Sequence, residues 1–272
     1  MRRFGEVDMR RSFRSITVSG VLLLALGGSA LAIHDADVTD EEAKCQQKAS
    51  IGSWRFFAKK AKCIASCQKA VFDGSGSASD CVPPFAGSTQ GCVNGIEGKT
   101  SAGICKACGG TSTPECYAGG NCQQTAEDKV GAIEDEVDAL MPEIFCTESG
   151  TLEPLEFKCE LALAKYLGYF AAAKAKCFAK CRLLEHKGII PPGGCTPGAV
   201  NDPTGKIVEC LNKINLKTAP RLDRYCDTGQ GGDAPECHSG RTSGDWIALA
   251  ETAYDDHDAE FYCGSPSGAF LE

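Results

Sequence analysis

The chain has 272 residues, 43% of them hydrophobic, a formal net charge of −8 and 18 cysteines. That acidity excludes a general nucleic-acid or anionic-membrane surface, so neither partner is expected. The length allows a real core and two domains, and the cysteine usage fits an oxidising compartment.

Residues 1–32 read as an export signal. Arg2, Arg3, Arg10, Arg11 and Arg14 form a basic region, Ile16 to Leu26 is mostly apolar, and Ala30-Leu31-Ala32 offers a cleavage signature before Ile33. The segment carries +3 of the chain's −8, which leaves about −11 after cleavage. Arg10-Arg11-Ser12-Phe13 resembles a twin-arginine signal. The ordinary basic region is the simpler reading, because a cysteine-rich chain suits export unfolded. The apolar run is too short to span a bilayer, so no membrane insertion is expected after cleavage. There is no N-x-S/T sequon, which favours a bacterial periplasmic or extracellular protein.

Cys45, Cys63, Cys67 and Cys81 return as Cys159, Cys177, Cys181 and Cys195, each displaced by 114 positions. Lys60/Lys174, Phe56/Phe170 and Ala61/Ala175 match in the same register. This is the signature of an internal duplication. The expected organisation is module 1 over 33–146, a linker over 147–153, module 2 over 154–263 and a flexible tail over 264–272.

In chain order, Thr39 and Glu42 form a capping box that opens a helix running to about Phe72. Cys45, Ala49, Gly52, Phe56, Cys63 and Cys67 share one face of it. Residues 73–122 are rich in Gly, Ser, Thr and Cys and read as short helical turns held by bridges rather than by a core. From Thr125, Val130, Ile133, Val137, Leu140 and Ile144 make an apolar stripe on an otherwise acidic helix. Its acids complement the basic first helix, which carries Lys48, Arg55, Lys59, Lys60 and Lys62. Module 2 repeats the plan, with helices from Pro154 to His186, after Asp202-Pro203, and from about Ser243 to Tyr262. Cys226 and Cys237 fall in a Gly-rich loop. No stretch alternates like a long strand, so the fold class is all-α: a tandem duplication of a disulfide-stapled helical module with long Gly-rich loops.

Cys105-Lys106-Ala107-Cys108 is the redox candidate, but it lacks the strand that precedes a thioredoxin-type pair. With Cys116 and Cys122 it has the makings of a thiolate zinc site, while export favours structural disulfides. His257 takes the place of Leu140 when the last helices are aligned on Cys146 and Cys263. With Asp256 and Glu260 it is the metal candidate; the plainer reading is an imidazole at the stripe's edge, bonded to a carboxylate, which leucine could replace without harm. Asp227, Asp233 and Glu236 match no calcium-loop spacing. No catalytic or cofactor motif occurs, so no cofactor is expected.

The function this supports is a non-enzymatic binding or structural protein of the periplasm or cell exterior, with an extracellular protein or carbohydrate partner. The alternative is a thiol-redox or metal-binding protein using Cys105/Cys108 or His257. If each terminal helix runs antiparallel to its first helix, Cys45–Cys146 and Cys159–Cys263 close the modules. Cys67–Cys81 and Cys181–Cys195 are expected as short loops, with no bridge between modules. Cys63 and Cys177 complete the framework through other partners.

Overall fold

A computed structural model describes residues 38–110, 113–114, 116–117, 121–146 and 151–262. The export signal and the tail lie outside these, as does Cys263. Among the described residues the regular structure is six α-helices and short 3-10 turns, without a strand.

α1 (Asp40–Phe72) starts at the expected capping box, where the Thr39 side chain accepts from the Glu42 amide and Glu42 accepts from the Thr39 amide. α2 (Gly87–Cys108) is one continuous helix in the segment expected to hold only short helical turns. Its glycines weaken it as an isolated helix, but tertiary staples override propensity. Cys92 is bonded to Cys63 and Cys108 to Cys45, so α2 is pinned antiparallel to α1 at both ends. Val93 and Ile104 are buried beneath it. α3 (Cys122–Ile144) begins three residues before the expected start, is capped by Asn121, and is joined to α2 by Cys105–Cys122.

α4 (Pro154–His186) spans the expected residues. α5 (Lys206–Cys226) extends through the predicted loop to Cys226. Asp202 does serve its start, accepting from the Thr204 and Ile207 amides. α6 (Ser243–Phe261) opens on a Thr242–Asp245 capping box. The second half carries the same three bridge positions as the first: Cys159–Cys226, Cys177–Cys210 and Cys181–Cys195 beside Cys45–Cys108, Cys63–Cys92 and Cys67–Cys81.

The expected Cys45–Cys146 and Cys159–Cys263 closures are therefore not formed. The reason is α2 and, in the second half, α5. Each is a full helix that reverses the chain before the terminal helix, which then runs parallel to the first helix instead of antiparallel. Cys146 arrives at the end of α1 away from Cys45 and bonds Cys237, so a bridge does join the two halves. The short-loop expectations, Cys67–Cys81 and Cys181–Cys195, match the structure.

α1 and α4 cross antiparallel at the centre. Phe72 stacks on Phe157 at 4.2 Å near one end, and His186 bonds Asp40 at 3.0 Å at the other. Their backbones approach so closely that a Cβ on Gly168 would lie 2.9 Å from the Ala58 Cα. The core is continuous across this contact. Trp54 of α1 packs at 5.2 Å on Tyr254 of α6, which packs at 5.3 Å on Phe178 of α4. All three are essentially fully buried, each contributing roughly 1.5–3 kcal/mol or more by area. The described residues accordingly form one compact unit.

Candidate anion-binding groove

The helical periodicity of α1 puts Lys48, Ile51, Gly52, Arg55 and Lys59 along one side. The antiparallel α2, held by its two bridges, brings Lys99, Gly103, Ile104 and Lys106 against them. Between the helices lies a groove of about 520 Å³. Lys48, Arg55, Lys59, Lys99 and Lys106 line it, all exposed, and no acidic residue does. Lys48 to Lys59 spans about 16 Å of helix. Among the described ion pairs none involves these five cations. On a chain of net charge −8, this is a local inversion of sign that concentrates positive potential in a concavity.

Two glycines keep the groove open. A Cβ on Gly52 would meet Ile104 at 3.2 Å, and one on Gly103 would meet nothing within 4 Å. The bridge register pairs these positions with Tyr166 and Arg221 in the second half. There the Arg221 guanidinium lies 5.5 Å from the Tyr166 ring centroid, and Lys165 lies 5.1 Å from the same ring. Large stacked side chains thus occupy in one half the positions that glycine leaves vacant in the other.

The expected pairing of the basic α1 with the acidic α3 is made by one lysine. Lys60, fully buried, meets Glu134 at 2.7 Å and Asp138 at 2.6 Å. Its counterpart Lys174 meets Glu251 at 2.9 Å and Asp255 at 2.6 Å. Burial raises the Asp138 and Asp255 carboxyls, with the lysines opposing. The second half adds a buried network of its own, in which Arg182 bonds Glu185 and Asp258 and the Tyr254 hydroxyl donates to Asp258.

His257 lies between Glu260 of its own helix at 2.8 Å and Glu136 of α3 at 3.3 Å. The bond to Glu136, then that to Glu260, lift the imidazole to about 10 against the effect of burial. The imidazole is thus bonded to carboxylates, as the plainer reading expects, but leucine at this position would leave those two carboxylates facing each other, so the harmless replacement by leucine is not expected from this geometry. Asp256 is exposed. Cys105 and Cys108 are not bonded to each other, being held by Cys122 and Cys45. Asp227 closes a local turn by accepting from the Gly229 amide. With Asp233 and Glu236 it lines a second cavity, of about 580 Å³, that also includes Arg241 and His238.

Sequence reasoning found the α1 cations but not their partners across the groove. Thr89, Val93, Ile96, Thr100, Ile104 and Cys108 do recur every three or four residues, a helical stripe that the surrounding glycines obscured. It also missed a grouping of Cys146, Glu160, Cys237 and His238, whose ligand atoms lie within 4.8 Å of one another. No family model, curated protein or solved structure matches the chain.

Proposed function

We propose that this chain is an exported, non-enzymatic binding protein, built by tandem duplication of a stapled helical module, whose first half takes an elongated polyanion in the α1–α2 groove. The observation that carries the reading is the row of cations on both walls of a concavity in an otherwise acidic chain. The eight described disulfides and the absence of a membrane-spanning helix among the described residues are compatible with export. Outside the cell, an acidic polysaccharide is the polyanion whose carboxylates repeat over the length of such a groove. The lining holds no aromatic side chain on which a nucleobase could stack.

The test is fluorescence anisotropy with a labelled polyuronate oligomer and a neutral dextran, at low and high salt. Binding to the polyuronate alone is expected, weakening with salt. Lys48→Gln/Arg55→Gln/Lys99→Gln should weaken it at least about tenfold, and Gly103→Glu should act in the same direction. Lys165→Gln/Lys217→Gln, in the filled second-half counterpart, should change little. Equal binding of dextran, no binding of polyuronate, or an unaffected triple variant would sink the reading. Binding of polyphosphate in place of polyuronate would overturn the saccharide assignment.

A further inference from the structure

Where α3 ends, α4 begins and the turn before α6 passes, three segments converge on one disulfide. Cys146 follows α3, Cys237 lies in the 3-10 turn Glu236–His238, and Glu160 projects from the first turns of α4. The two sulfurs, a Glu160 carboxylate oxygen and a ring nitrogen of His238 fall within 4.8 Å of one another. Glu160 and His238 are buried, at 0% and 2% exposure. His238 Nε2 lies 3.0 Å from the Ile144 carbonyl, which fixes a proton on that nitrogen. Its Nδ1 is buried without a hydrogen-bond partner. A carbonyl that sets the tautomer and a second nitrogen with a free lone pair is the usual outer support of a metal-ligating histidine.

Cys146–Cys237 also differs from the other described bridges. Both its cysteines are exposed, whereas every other described bridge has at least one buried or half-buried member. Exposed disulfides are the ones that a reductant reaches, and they are the labile and regulatory class.

We propose that Cys146, Cys237, Glu160 and His238 form a redox-gated site for a zinc-class divalent cation. A dithiol reductant transfers two electrons and two protons to the Cys146–Cys237 bond, yielding two thiols and the reductant's own disulfide. The cation then displaces the two thiol protons. It is held by two thiolates, one imidazole nitrogen and one carboxylate oxygen, a four-ligand set of the kind zinc accepts. Oxidation by a disulfide or quinone removes two electrons, re-forms the sulfur–sulfur bond and expels the ion. In either state the junction between the two halves stays clamped, by a covalent bond in one and by the metal in the other. This site is independent of the groove.

The test begins with the full mature chain and a limiting amount of dithiothreitol, followed by alkylation and peptide mapping. Cys146 and Cys237 should be the first cysteines labelled, with helicity by circular dichroism unchanged. Without alkylation, the same partly reduced protein should take up one Zn²⁺ per chain, and Cd²⁺ should give a thiolate charge-transfer band in the ultraviolet. The oxidised protein should do neither. His238→Ala should weaken Zn²⁺ binding by about 10–100-fold while leaving the oxidised fold intact, and Cys146→Ser/Cys237→Ser should abolish it under all conditions. First reduction elsewhere, loss of helicity on opening this bridge, sub-stoichiometric zinc, or uptake indifferent to His238→Ala would each overturn the proposal.

Discussion

Replacing His257 with glutamine removes a charge that two carboxylates hold in place. The imidazole is 20% exposed, with Glu136 and Glu260 at 31% and 40%, and its ring centroid lies 6.4 Å from that of Trp54. The folded protein holds the proton up to about 10, against 6.5 for an unperturbed histidine. Unscreened, that rise is about 5 kcal/mol. Both acids stand at the surface, so solvent screening reduces the net contribution to about 1–2 kcal/mol. Because folding raises this affinity for the proton, the stabilisation is complete below about pH 6.5. It falls as pH rises and is gone above about pH 10. Guanidinium unfolding of wild type and His257→Gln across this range is the assay. The wild type should lead by about 1–2 kcal/mol at pH 6, with the gap closing towards pH 10. His257→Leu should behave alike or worse at neutral pH. A gap that does not vary with pH, or a His257 ring resonance titrating near its ordinary value, would refute the placement of the imidazolium between Glu136 and Glu260.

Glycines should divide sharply by surroundings: Gly95→Ala on α2 meets nothing within 4 Å and should stabilise by up to about 1 kcal/mol. Gly168→Ala drives its Cβ to 2.9 Å from the Ala58 backbone and should cost about 1–3 kcal/mol, with both changes read from chemical melts. Lys60→Met and Lys174→Met, at matched positions with matched acids, should each cost about 2–3 kcal/mol at neutral pH, less than a fully buried pair because the acids can rehydrate. The loss should shrink in acid as those carboxylates take up protons. A neutral effect in either variant would contradict the ion pairs.

Several features were legible in the sequence because local chemistry decides them. Thr39 with Glu42, and Pro154, start helices through contacts within one turn. The Cys67–Cys81 and Cys181–Cys195 bridges close loops too short to offer many alternatives. The Lys60/Lys174 identity was visible as well, although its meaning needed the partners four residues apart on α3 and α6. What the sequence could not decide was the direction in which the long helices return. The glycines of α2 make it look like a loop, whereas its bridges and the burial of Val93 and Ile104 favour the packed helix. Once α2 is a helix, the terminal helix runs parallel to the first, Cys146 goes to Cys237, and the cations of α1 face those of α2 across a groove. The shared core of Trp54, Tyr254 and Phe178 follows from the same step. Capping and periodicity act within a few residues, so they are written in the local sequence. Helix direction, bridge partners and groove walls depend on contacts between segments tens of residues apart, which only the packed chain selects.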